Sequence, residues 1–134
     1  MAAAERERAE EIVSATGATV WVGQEDELDV VTAVSASGPA YCFLLMEAME
    51  QAALDHGLPA GIARELSVQT ALGAARMARE SGEEPARLRE RVTSPGGTTA
   101  AALEVFERGG FRALVASAVG AAAARAHEMS RLGD

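Results

Sequence analysis

Lysine is absent from this 134-residue chain, and all twelve basic residues are arginines. Without lysine, the chain cannot contain a Walker-type phosphate loop, a Schiff-base site or a lysine general base. Twenty acidic residues give a formal net charge of −8 and a sequence pI near 4.8. Because such a surface repels phosphate backbones and anionic lipid, we expect neither a nucleic acid nor a membrane as partner.

Cysteine, histidine and aromatic residues are also scarce. The single cysteine, Cys42, cannot form an internal disulfide, and two histidines are too few for a usual zinc site, so no metal is expected. We interpret Cys42 as a buried, inert thiol and Trp21 as a core residue. His56 precedes Gly57 at a predicted helix end, where it suits a cap, and His127 is interpreted as a surface residue.

Long apolar runs are missing too. Residues 5–8 are charged where a signal peptide would need an apolar core. Val30–Met46, the longest uncharged stretch, is interrupted by Ser35, Ser37, Gly38 and Pro39, so it does not predict a membrane span. We therefore expect a soluble, cytoplasmic protein. A chain of this length fits one domain that buries about two thirds of its unfolded surface in its own core.

The pattern of alanine, glycine and proline predicts an all-α fold with one exception. Ala18–Val22 is β-branched and aromatic between two glycines, which indicates a strand. A lone strand needs a sheet. The segment could pack irregularly or pair with another chain, and we expect it to belong to a sheet outside this sequence. Helices are predicted at about 3–15, 27–34, 37–56, 60–81, 85–91, 98–108 and 111–131, with Ser37 as a cap.

Two helices predict an obligate homodimer. Tyr41–Met46 is apolar all round, and a few modest helices rarely enclose one of their number completely. The last helix carries an apolar, alanine-rich stripe of Phe111, Leu114, Val115, Ala118, Val119, Ala122, Ala126 and Met129. Ordinary core packing within one chain is the alternative for both helices.

The segment Thr93–Thr99 is the candidate site. Its adjacent glycines let a ligand approach the backbone, and the first amides of the following helix, at Gly97, Thr98 and Thr99, lack intrahelical acceptors. Free amides at the positive end of a helix dipole can bind a carboxylate or phosphate, and Ser94 adds a hydroxyl. An ordinary helix start is the alternative. Nearby Arg87, Arg89 and Arg91 alternate with glutamates and are interpreted as a solvated face.

This loop and three other segments resemble one enzyme family. Four segments are similar to motifs of pyrroline-5-carboxylate reductase and occur in the same order along the chain: Ser35–Tyr41, Gln69–Ala75, Leu88–Thr99 and Gly109–Arg112. The resemblance runs from about Ile12 to the C-terminus. Ala36 departs from the family pattern, which usually has glycine at this position. The change to alanine slightly tightens that turn.

The resemblance implies the last step of proline biosynthesis, the reduction of 1-pyrroline-5-carboxylate to L-proline with NADPH or NADH. It also implies an N-terminal dinucleotide-binding domain and a C-terminal helical domain that dimerises by interlocking helices, with some members assembling dimers into decamers. By this resemblance, residues 1–24 are the closing helix and strand of the nucleotide domain, and residues 25–134 form the dimerisation and substrate-binding domain.

The family's contacts carry over to the loop. Ser94 and the amides of Gly97, Thr98 and Thr99 would hold the substrate carboxylate, and the Thr99 hydroxyl would hydrogen-bond the ring nitrogen, which orients the C=N bond for hydride transfer. The sequence has no Gly-x-Gly-x-x-Gly fingerprint after a strand, so we expect the cofactor to bind mainly to a domain absent here and this chain alone to be inactive.

Two other functions stay open. The chain could be a non-catalytic helical module that assembles with, or regulates, a full-length reductase. It could also be a generic anion-binding helical domain unrelated to proline.

Overall fold

The computed structural model describes residues 3–15 and 17–132, and their regular structure is helical throughout. The elements are α1 (Ala3–Ser14), α2 (Glu27–Val31), a π-helical turn (Thr32–Ala36), α3 (Gly38–Asp55), α4 (Ala60–Ser81), α5 (Pro85–Arg91), α6 (Thr98–Arg108) and α7 (Phe111–Ser130). The predicted all-α class is confirmed. The two predicted domains, residues 1–24 and 25–134, each include terminal residues that lie outside the described ranges.

Glycine and proline set the helix boundaries where the sequence predicts them. Gly82 ends α4 in the left-handed region at φ 66°, and a residue with a Cβ would be strained there. Pro85 opens α5 in its first turn, where its missing N–H costs no hydrogen bond. The predicted limits of α4, α5 and α6 agree with the structure.

The strand predicted at Ala18–Val22 is wrong for the residues that the structure describes, where this segment has no regular structure. A strand needs a partner strand to satisfy its amides, and none is present in the described ranges. The Trp21 indole instead contacts α1, with its Nε1 3.2 Å from Glu10 Oε2 and the Arg6 guanidinium 4.6 Å from its ring centre. Trp21 is 37% exposed, so its prediction as a core residue is also wrong.

The chain stays helical between α2 and α3, although the sequence predicts a break capped by Ser37. The Ser37 amide donates to the Thr32 carbonyl at 3.0 Å, five residues back, which gives the π-helical turn. Ser37 has helical backbone angles and its side chain makes no capping hydrogen bond. Ser37 therefore occupies the predicted N-cap position of α3, but its side chain does not cap the helix.

The helices pack in pairs, some between neighbours in the chain and some between helices far apart in it. Helices α3 and α4 lie side by side, and Arg64 Nε is 3.3 Å from both carboxylate oxygens of Glu50 near their shared end. Helix α7 packs on α2, on the π-helical turn and on α6. Ala33, in the π-helical turn, is fully buried at this contact layer.

The described residues bury very little. Only Ala33, Ala63, Ser67 and Leu88 are buried, and no large side chain among the described residues is fully buried. The accessible surface is 10,665 Å² for 13.9 kDa, whereas a self-contained monomer of this mass would expose about 6,700 Å². The predicted self-sufficient core is therefore wrong, because the helices direct much of their apolar surface outward.

The outward apolar surface is spread along the chain, and α3 contributes several of its strongly exposed side chains. Phe43 and Leu44 are 65% and 66% exposed, as the all-round apolar pattern requires. Cys42 is also exposed in the single chain, so its prediction as a buried thiol is wrong for this chain alone. Glu27–Asp55 contains an 18-residue stretch with a mean hydropathy of 1.4, so it is long and apolar enough for a membrane span, a test that core helices of soluble proteins also pass.

Candidate functional site

The loop between α5 and α6 is built from short backbone and side-chain hydrogen bonds. The Thr93 hydroxyl donates to the Arg89 carbonyl at 2.6 Å, which ties the loop to the last turn of α5. The Gly97 amide donates to the Ser94 carbonyl at 3.1 Å and closes a tight turn. These two bonds place Ser94 over the start of α6.

The geometry of the loop favours glycine at both position 96 and position 97. Gly96 has φ 69°, in the region that favours glycine. Gly97 is extended (φ −81°, ψ 175°), but a Cβ added there would collide with the Ser94 hydroxyl oxygen and lie 3.2 Å from the Ser94 carbonyl oxygen. The pair therefore allows the tight turn that brings Ser94 close to the helix start.

The first turn of α6 offers donors to a ligand. The Ala101 amide is the first with a helical acceptor, the Gly97 carbonyl at 3.1 Å, and no described side chain caps this helix. The amides of Thr98 and Thr99 therefore have no intrahelical acceptor, and they stand at the positive end of the helix dipole. The Thr99 side chain is half-buried, whereas Ser94 and Thr98 are exposed.

The Gly97 amide differs from its neighbours. The sequence predicts all three amides to be without an acceptor, but Gly97 already donates to Ser94. A contact from Gly97 to a ligand would have to share or break that bond. The donors that remain for a ligand are therefore the amides of Thr98 and Thr99 and the hydroxyls of Ser94, Thr98 and Thr99.

The arginines of α5 do not act alike. Arg87 pairs with Glu90 at 2.7 Å, and Arg91 pairs with Glu83, so these two form the predicted solvated face. Arg89 makes no ion pair within 4 Å among the described residues. Its side chain instead lines a groove of about 560 Å³ whose other walls are Leu45, Met49, Leu103, Phe106, Glu107, Phe111, Arg112 and Val115.

The groove holds an ion pair that the sequence analysis missed. Arg112 Nε lies 3.0 and 3.1 Å from the two carboxylate oxygens of Glu107, and Arg112 Nη2 lies 2.8 Å from Oε1. The hydrogen bond from Arg112 lowers the pKa of Glu107, and the charges of Arg112 and Arg89 add to this. The pair spans five residues across the Gly109–Gly110 turn, a spacing that no helical pairing rule covers.

The two histidines have structural roles. His56 is the C-cap residue of α3 and its amide donates to the Ala52 carbonyl at 3.1 Å, as predicted. His127 is exposed, but its Nδ1 lies 3.0 Å from Asp29 Oδ2, which joins α7 to α2. Among the residues that the structure describes, no three His, Cys, Asp or Glu side chains are grouped to hold a metal ion.

A dinucleotide site of the βαβ type needs a strand that leads through a glycine-rich turn into a helix. The described part of this chain has no strand, and the glycine turn at Gly96–Gly97 follows helix α5. The part of the chain that the structure describes therefore does not supply such a turn.

Comparison with known sequences gives a consistent result. The family model described as "Pyrroline-5-carboxylate reductase dimerisation" matches residues 25–129. The pyrroline-5-carboxylate reductase of Pseudomonas aeruginosa is 52% identical over 97% of this chain and 48% of the relative. The human pyrroline-5-carboxylate reductase 2 is 41% identical over 93% of this chain and 39% of the relative. The chain thus spans about half the length of the curated relatives it matches.

Solved structures agree with the fold. A pyrroline-5-carboxylate reductase from Coxiella burnetii superposes with a TM-score of 0.91 at 46% identity, covering 96% of this chain and 47% of the other. A Plasmodium falciparum pyrroline carboxylate reductase with NADP bound gives a TM-score of 0.83 at 29% identity, covering 96% and 49%.

Proposed function

Because the chain belongs to the pyrroline-5-carboxylate reductase dimerisation family, we propose that it forms the dimerisation and substrate-binding part of a cytoplasmic reductase that converts 1-pyrroline-5-carboxylate to L-proline. The substrate carries a carboxylate and a ring C=N bond. The cofactor, NADPH or NADH held by another domain, supplies the hydride that reduces this bond. The residues of this chain bind and orient the substrate.

The exposed apolar surface supports dimerisation. The chain exposes 10,665 Å², about 4,000 Å² more than a self-contained monomer of its mass. Obligate dimers bury about 2,000–5,000 Å² or more over both subunits together, so a second copy would cover part of this excess. Phe43 and Leu44 on α3, and Leu114 on α7, are the large apolar side chains that a second copy would cover.

The start of α6 supports carboxylate binding. The amides of Thr98 and Thr99 have no helical acceptor, and the helix dipole favours an anion at this position. The Ser94 hydroxyl, held above Gly97, can donate a further hydrogen bond to the same carboxylate. This helix start, in a chain of this family, is the observation that carries the proposed substrate site.

The Thr99 hydroxyl has a different role in this proposal. It hydrogen-bonds the ring nitrogen and so fixes the direction in which the C=N carbon faces the incoming hydride. A threonine hydroxyl is a weak acid, so it positions the nitrogen and relays a proton from water rather than acting as a strong acid. Reduction of the imine consumes one hydride at carbon and one proton at nitrogen.

An NMR titration of this chain with L-proline tests the site. We expect saturable shifts of the Thr98 and Thr99 amides with L-proline, and weaker, non-saturating shifts with acetate. Thr99→Ala should weaken the response, and the matched control Thr70→Ala, an exposed threonine of α4, should not. Equal responses to proline and acetate would favour a generic anion site and overturn the proposal.

Dimerisation needs a separate measurement. Light scattering should give the mass of a dimer, and a mass five times larger would show assembly of dimers into a decamer. A monomer at micromolar concentration would contradict the proposal. Mixing the chain with an intact reductase tests the alternative function: stable mixed dimers without any L-proline response would favour a non-catalytic assembly module.

A further inference from the structure

Thr93, the first residue of the candidate loop, is bound twice to the last turn of α5. Its amide donates to the Glu90 carbonyl, three residues back, at 3.1 Å. A regular α-helix would instead pair this amide with the Arg89 carbonyl, four residues back. The Thr93 hydroxyl donates to that carbonyl at 2.6 Å. The side chain of Thr93 therefore satisfies the carbonyl that the tightened last turn of α5 leaves without its usual amide donor.

Helix α5 is a firm support for this contact. Leu88, which directly precedes Arg89, is 8% exposed and is one of the few buried residues in the described part of the chain. Its carbonyl accepts the Val92 amide at 3.2 Å, so the helix keeps its regular bonding up to the residue before Thr93. Thr93 itself is half-buried, so water competes less for its hydrogen bonds.

Ser94, the next residue, is held from both sides. On the α6 side its carbonyl accepts the Gly97 amide at 3.1 Å, and its hydroxyl oxygen lies against the backbone of Gly97. On the α5 side it follows Thr93 directly. The connection from α5 to Ser94 therefore consists of the two hydrogen bonds of Thr93 and one peptide bond.

From these contacts we propose that Thr93 is a positioning residue, whose hydroxyl, bound to the Arg89 carbonyl, holds the Ser94 hydroxyl in the orientation that receives the substrate carboxylate. The inference rests on the proposed function, because it assigns the loop to L-proline and its imine. Thr93 does not donate to the substrate, since its one hydroxyl hydrogen is donated to Arg89. It acts by ordering Ser94 beforehand, so that binding does not have to order the loop.

The test removes one hydroxyl and keeps the shape of the side chain. Thr93→Val replaces the hydroxyl with a methyl group, and Thr93→Ser keeps the hydroxyl. Ser67→Ala is the matched control, because the Ser67 hydroxyl donates to the Ala63 carbonyl, also four residues back, at 2.9 Å within α4. We expect Thr93→Val to weaken L-proline binding by about three- to tenfold. Thr93→Ser should retain more than half of the wild-type affinity, and Ser67→Ala should leave the affinity unchanged.

A second readout needs no ligand. NMR couplings of the Ser94 side chain should show one rotamer in the free wild-type chain and in Thr93→Ser, and an average over several rotamers in Thr93→Val. The Gly97 amide should exchange its hydrogen faster in Thr93→Val. Denaturant unfolding of Thr93→Val and Ser67→Ala separates these effects from a general loss of stability.

The outcomes distinguish this role from the proposed function. If the wild-type chain does not bind L-proline, the proposed function fails, and the Ser94 couplings still decide whether Thr93 orders this hydroxyl. If the wild type binds, an unchanged affinity or a single Ser94 rotamer in Thr93→Val would overturn the positioning role alone. An equal loss of affinity in Ser67→Ala would also overturn it, since the effect would then not be specific to the loop.

Discussion

The Ser94 hydroxyl oxygen lies directly against the position that a Cβ on Gly97 would occupy, so any side chain there would force that hydroxyl to move. The Ser94 carbonyl, 3.2 Å from the same position, blocks a shift of the backbone in that direction. A small side chain at residue 97 would therefore displace the hydroxyl that we propose binds the substrate carboxylate.

Gly97→Ala should rotate the Ser94 hydroxyl away from the start of α6 and destabilise the domain by about 1 kcal/mol through overpacking. L-Proline binding should weaken with it, while α6 still forms. Gly61→Ala is the control, because a Cβ at Gly61 has open space around it. Chemical denaturation and the L-proline titration measure both effects, and an unchanged affinity in Gly97→Ala would contradict the assigned role of Ser94.

Thr99→Ala and Ser94→Ala should separate catalysis from binding when placed in a reductase that holds both domains. Loss of the contact to the ring nitrogen should mainly lower kcat, and loss of the carboxylate contact should mainly raise KM. Each lost hydrogen bond should cost about 1–3 kcal/mol. Steady-state kinetics give the split, and wild-type kinetics in Thr99→Ala would refute its positioning role.

The sequence predicts the helices well because local signals fix their ends. Gly82 adopts the left-handed backbone that ends a helix, and Pro85 has no backbone N–H to donate. Each residue therefore marks a helix boundary independently of its tertiary contacts. The loop with Ser94 and Thr99 follows from the same logic, since its donors are adjacent in the chain.

Features that depend on partners distant in the chain are the ones that the sequence misses. The strand at Ala18–Val22 has no partner among the described residues, and Cys42 is exposed because no other described segment of the chain covers it. The Glu107–Arg112 pair needs the path of the chain through Gly109–Gly110, which no propensity provides. The acceptor of the Gly97 amide likewise depends on the exact turn.

Leu44→Glu should break the dimer. Leu44 is 66% exposed in the single chain, and burial of each such side chain contributes about 1.5–3 kcal/mol, lost in both copies at once. Analytical ultracentrifugation should show a shift from dimer to monomer. Val20→Glu, at an apolar residue that is 81% exposed and lies outside the matched region 25–129, serves as control. A dimer that survives Leu44→Glu would place the interface elsewhere.

Asp29→Asn and His127→Gln should show coupled effects, because their side chains join α2 to α7 across 98 residues of sequence. Half of the His127 side chain is exposed, so the coupling should be only about 0.2–1 kcal/mol. A double-mutant cycle by denaturant unfolding measures it. Additive effects of the two substitutions would show that this contact contributes nothing to the packing of α7.

Acid should weaken the domain through Glu107 in a predictable direction. Because Arg112 lowers the pKa of Glu107 below its ordinary value of 4.5 in the folded state, the folded form prefers the charged carboxylate. The resulting stabilisation is complete above the ordinary value and is lost as the pH falls through the lowered pKa. The difference in unfolding midpoint between the wild type and Arg112→Gln should therefore shrink from about pH 5 downward. In a Glu107→Gln background, which lacks the titrating carboxylate, Arg112→Gln should show no such pH dependence. A difference that stays constant down to strongly acid pH would mean that Arg112 stabilises the fold by packing and not by its charge.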